Sequence, residues 1–62
     1  MKPLPIKGDL NEDTRLGSVH MNGLVLEMHR DPDDEQIYYI TEHAKAENIL
    51  MMVDVDFWNR IF

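Results

Sequence analysis

Apolar positions along this chain come in short runs divided by turn residues. The breaks fall at Pro3, Pro5, Gly8, Gly17, Asn22-Gly23, Asp31-Pro32-Asp33-Asp34 and the polar AKAEN of 44–48. Such spacing predicts a β meander, because a strand needs only a handful of residues to present a face and a helix needs about ten or more. Strands are predicted near 23–30, 36–42 and 48–57. QIYYITEH, from Gln36, is rich in β-branched and aromatic residues that suit a pleated, half-buried surface. In ILMMVDVDF the period is two: Ile49, Met51, Val53, Val55 and Phe57 share the expected core face, with Leu50, Met52, Asp54, Asp56 and Trp58 opposite. A helix over 44–52 is the rival, since AKAENILMM contains good helix formers, but alternation persisting through Asp54 and Asp56 favours a strand. At most one helical turn is expected, around Asp56–Asn59.

The stretch VHMNGLVLEM (19–28) admits two readings. With Asn22-Gly23 as a two-residue type I′ turn, Met21 faces Leu24, Val19 faces Leu26 and Gly17 faces Met28 on one side. Ser18, His20, Val25 and Glu27 then occupy the other side. Alternatively, residues 11–22 form a long loop between a short strand around Asp9-Leu10 and a strand starting at Gly23, and loops of that length are often functional.

A chain of 62 residues supports one small domain, here expected as an extended N-terminal arm over 1–7 and a β-barrel over 8–62. It has no cysteine, so neither disulfides nor thiolate zinc sites reinforce the core. Twelve acidic against six basic residues give a net charge of -6, and Lys2, Lys7, Arg15, Arg30, Lys45 and Arg60 are scattered singly. Nucleic acid and anionic membranes reward clustered basic residues, so neither is an expected partner. No apolar run approaches a membrane span and no secretory signal is recognisable at the start, which leads to the expectation of an intracellular protein or one released by lysis. The acidic run Asp31 to Glu35 is read as an exposed, solvated turn. Its functional alternative is an acidic knob, with Asp33 and Asp34, that docks on a basic partner.

Catalysis finds no foothold in the pattern. The hydroxyls of Thr14, Ser18, Thr41, Tyr38 and Tyr39 lie in no nucleophile elbow, and no glycine-rich phosphate loop occurs. Asp54 and Asp56 share a strand face but would need a cleft that so short a chain seldom encloses. For metal binding, His20, His29 and His43 are available, yet the hairpin register separates His20 from His29 by about 13 Å. Each histidine is therefore expected at the surface or at a strand edge, and no metal or other cofactor is expected.

Gly8-Asp9-Leu10, a polar stretch, Gly23-Leu-Val-Leu-Glu27 followed by His-Arg-Asp, Ile37-Tyr-Tyr-Ile40 and a last acidic strand together resemble the very small SH3-like β-barrel proteins of tailed phages. Those chains commonly run as a GDLV opening, a GIVLE second strand, a YYV third strand and a hydrophobic closing strand. The resemblance spans residues 7–58, and the chain departs from it at Asn11, where the family usually has an apolar residue. It implies a five-stranded barrel serving as an accessory or structural module, in a virion or the host cytoplasm, and brings no catalytic residue with it.

The fold class expected is thus mostly β, an SH3-like barrel or a meander of four to five strands. Methionines at 1, 21, 28, 51 and 52, with Tyr38, Tyr39, Phe57, Trp58 and Phe62, are more apolar bulk than a small barrel can enclose. Leu50, Met52, Trp58 and Phe62 are expected to form a contact surface, covered either by the N-terminal arm through Leu4 and Ile6 or by a protein partner or second copy. The function expected is a non-enzymatic structural or adaptor subunit. A small acidic inhibitor of a host protein is the alternative, and a minor metal-binding domain a third.

Overall fold

The computed structural model describes residues 4–61. Four antiparallel strands, β1 (Arg15–Met21), β2 (Leu24–Arg30), β3 (Ile37–Glu42) and β4 (Lys45–Asp54), are followed by one helix, α1 (Val55–Ile61). The strands lie in sequence order in one open sheet, with β1 and β4 at its edges. The protein is therefore mostly β, and among the described residues its strands form the four-stranded meander of the expected forms.

The hairpin reading of residues 17–28 is the one adopted. Asn22 (φ 51°) and Gly23 (φ 78°) both occupy the left-handed region that a type I′ turn requires. Met21 faces Leu24, Val19 faces Leu26 and Gly17 faces Met28. The long-loop reading, with a strand around Asp9-Leu10, is corrected: residues 7–14 form turns. Asn11 organises them, its carbonyl accepting from the Thr14 and Arg15 N–H groups and its Oδ1 from the Asp13 N–H. A polar residue at position 11 is what this turn needs, because its side chain satisfies backbone that no strand partner reaches.

On one side of the sheet Leu26, Ile40 and Val53 form the apolar cluster, with Val19, Met21, Met28 and Trp58 packed against it. The closing segment departs from simple alternation in two ways. Pairing of β3 with β4 shifts register between Ile40 and Thr41 and again between Thr41 and Glu42, so Met51 faces Ile40 while Ile49 faces Thr41. The strand then ends at Asp54, whose Oδ1 accepts from the Asp56 (2.9 Å) and Phe57 (3.2 Å) N–H groups as the cap of α1. Of the expected core set only Val53 is buried; Ile49 and Val55 are half-buried, and Met51 and Phe57 are exposed. The single turn expected around Asp56–Asn59 is extended to seven residues, with Asp56 in its first turn and Arg60 in its last complementing the helix dipole. No helix among the described residues is long and apolar enough to cross a membrane.

Candidate functional site

Among the described residues, five of the ten exposed large apolar side chains lie along β4 and α1. Leu50 (59% exposed) and Met52 (56%) face outward as alternation predicts. Met51, on the other face of the sheet beside buried Ile40, is also 44% exposed, since β4 is an edge strand with no neighbour beyond it. On α1, Phe57 and Ile61 stand four residues apart on one face and are exposed. Trp58, one residue on from Phe57, turns inward, is half-buried and packs on the Leu26, Ile40 and Val53 cluster. Its expected place on the side opposite the core is corrected, because a helix places residues 57 and 58 about 100° apart where a strand would place them on opposite faces. Phe62 lies outside the described residues.

The described part of the N-terminal arm, residues 4–7, does not cover this surface. Leu4 and Ile6 are themselves exposed, and with Pro5, Asp9, Asp31, Pro32 and Asp33 they line a cleft of about 260 Å³ against the β2–β3 loop.

The acidic run is an exposed loop with a buried base. Asp33 and Glu35 are exposed and Asp34 is half-buried, whereas Asp31 is 2% exposed. Asp31 Oδ1 accepts from the N–H groups of Asp33 (2.8 Å) and Asp34 (2.9 Å), and its Oδ2 accepts from the Tyr39 hydroxyl. The reading of the whole run as solvated surface is therefore corrected at Asp31. Burial, reinforced by the Asp31 hydrogen bond and charge, raises the Tyr39 phenol well above its ordinary range.

The side of the sheet opposite the apolar cluster is a buried polar row that sequence reasoning missed. Glu27 faces Ser18 and Thr41, and His29 faces Arg15 and Tyr39. Glu27 accepts from Arg15 Nε and from the Ala44 N–H, and its Oε1 lies 4.0 Å from His43 Nδ1. These hydrogen bonds, that from Arg15 foremost, hold its carboxyl below the usual carboxylate range. His29, 2% exposed, has Nδ1 2.9 Å from Thr14 Oγ1, while Nε2 has no hydrogen-bond partner. Desolvation lowers its pKa below the ordinary value. The expectation that every histidine sits at the surface or an edge is thus corrected for His29, whereas His20 and His43 are exposed. One signal was present: the hairpin register places Glu27 and His29 on one face, and two polar residues alternating with Leu26 and Met28 hint at a second, polar interior.

Thr14 and His29 come closest to a nucleophile with its base. Thr14 is 3% exposed, and its Oγ1 already accepts from the Asn11 N–H and lies 3.0 Å from the Asn11 carbonyl. A substrate cannot reach that oxygen without displacing the turn. No three His, Asp or Glu side chains converge on a common metal position among the described residues. Comparison with protein-family models, curated proteins and solved structures finds no match to this chain.

Proposed function

We propose that this chain is a non-enzymatic structural or adaptor subunit of a larger assembly that acts through protein–protein contacts. The observation carrying this reading is the balance of apolar groups among the described residues: ten large ones are exposed and five are buried. The strip of Leu50, Met51, Met52, Phe57 and Ile61 is the part of that surface carried by two consecutive elements, with Met51 and Met52 on opposite faces of the edge strand. Exposed apolar surface of this kind marks contact sites, and Met adapts to uneven partners. The resemblance to small phage SH3-like proteins supports a virion component, present in the virion or the host cytoplasm. The net charge of -6 argues for a protein partner over nucleic acid or membrane.

Capture from lysate of the native source tests the reading, with wild-type chain compared against Leu50→Asp/Met52→Asp. Retention of a defined protein by the wild type and its loss by the variant, with unchanged thermal unfolding, is expected. Equal retention by both overturns it.

A second reading, an acidic inhibitor docking through Asp33 and Asp34, is favoured by the rigid hold of Asp31 on the N–H groups of those two residues. Under it, Asp33→Asn/Asp34→Asn weakens binding in a salt-dependent way while the strip substitutions do not.

A further inference from the structure

The edge of the sheet remote from the β4–α1 strip has a different character. The β4 edge is interrupted by two register shifts and flanked by Lys45, Glu47 and Asp54, the features by which proteins discourage edge pairing. The β1 edge is less protected. Its one register shift lies between Arg15 and Gly17, and from Leu16 to Met21 it contains neither a formal charge nor proline.

We propose that a second copy of this chain pairs antiparallel along the β1 edge, about a twofold axis through Val19. The two-residue turn makes Met21 and Leu24 a hydrogen-bonded pair, so Met21, Val19 and Gly17 direct their backbone groups toward β2. Ser18 and His20 direct theirs outward, and both residues are exposed. Across the twofold, Ser18 exchanges both backbone hydrogen bonds with the partner's His20, and His20 does so with the partner's Ser18. Val19 meets its own symmetry mate in the close, non-hydrogen-bonded position. Met21 comes opposite the partner's Gly17, where an added Cβ meets nothing within 4 Å, so there is room for the methionine to lie over the glycine. The register is thereby self-complementary, as an isologous contact must be.

Charge selects this edge over that of β4. Two copies carrying -6 each repel, yet residues 14–26 contain no carboxylate and a single formal charge, Arg15, which is already matched to Glu27. No other stretch of the chain as long is free of acid. Contact at β1 thus places the least acidic part of each copy against the other, and exposed Leu16 and Leu24 border the seam. This surface is separate from the β4–α1 strip, so either proposal can fail without the other.

The test uses the full chain in sedimentation equilibrium across micromolar concentrations. A reversible dimer is expected. Ser18→Glu/His20→Glu sets carboxylates opposite one another at exposed sites and is expected to weaken the dimer at least ~10-fold, whereas Ser18→Lys/His20→Glu makes each cross-strand pair opposite in charge and restores it. Because the chain has no cysteine, Val19→Cys supplies a single thiol at the axis, and mild oxidation is expected to cross-link it faster than Ser18→Cys. The proposal is overturned by a monomer at every concentration, by a dimer indifferent to Ser18→Glu/His20→Glu, or by a dimer that Met52→Asp abolishes and the β1 changes leave intact.

Discussion

The Tyr39 hydroxyl donates to Asp31 Oδ2 at 2.6 Å in a buried contact that ties the third strand to the base of the β2–β3 loop. With both Asp31 oxygens occupied, the carboxylate and the loop backbone are mutually satisfied. Tyr39→Phe removes a hydrogen-bond donor from a buried carboxylate, at a cost of about 1–3 kcal/mol. Glu35→Gln, on the exposed crest of the same loop, should stay within about 0.5 kcal/mol. Urea unfolding of the two variants side by side checks the contrast.

Glu27 anchors the β3–β4 turn by accepting the N–H of Ala44, which sits at φ 61°. A left-handed alanine costs about 1–2 kcal/mol, part of which glycine would recover against its own greater chain entropy. Ala44→Gly is therefore expected to raise the unfolding midpoint slightly. Glu27→Gln should lower it, since the charge-assisted bond from Arg15 is lost. The carboxyl's lowered pKa means that its stabilisation is present above the unfolded value near 4.5 and fades as pH falls through the folded value. Glu27→Gln should flatten that acid limb of the stability curve.

His29 gives a separate pH signature. Its folded pKa is depressed, so the unfolded chain takes up the proton first as pH falls below 6.5, and stability declines from there down to the folded pKa. The charges acting on it are Glu27, Arg15 and Glu12. His29→Leu removes both the titrating group and the orphaned Nε2, while the Thr14 hydroxyl retains the Asn11 carbonyl. Stability at pH 8 should change by less than about 1.5 kcal/mol, and the decline just below pH 6.5 should shrink. Thermal unfolding at half-unit pH steps separates this limb from the more acidic Glu27 limb.

Trp58 and Phe57 should behave oppositely although adjacent. Trp58→Ala removes packing from the Leu26, Ile40 and Val53 cluster and should cost roughly 2–4 kcal/mol, a large share of a small domain's stability. Phe57→Ala, at a site 56% exposed, should leave unfolding nearly unchanged and affect association with a partner. Calorimetry of both variants decides the assignment of faces; equal losses would contradict it.

What the amino-acid order determined by itself was local. Asn22-Gly23 selects a type I′ turn, and once that turn is set the pairing of 17–21 with 24–28 follows residue by residue. The β-branched and aromatic run after Gln36, the strand character of 49–53 and the outward placement of Leu50 and Met52 follow from period two in the same way. Tertiary structure decided what a period cannot express. The Val-Asp-Val-Asp stretch at 53–56 alternates on paper, but Asp54 becomes a helix cap and the period changes from 2 to 3.6 at Val55, which turns Trp58 inward and Phe57 outward. The polar row depends on contacts 15 residues apart, between Thr14 and His29, and 17 apart, between Glu27 and Ala44. Neighbours along the chain set backbone geometry, while the side of the sheet that is covered, and by what, depends on segments that meet only once the chain has folded.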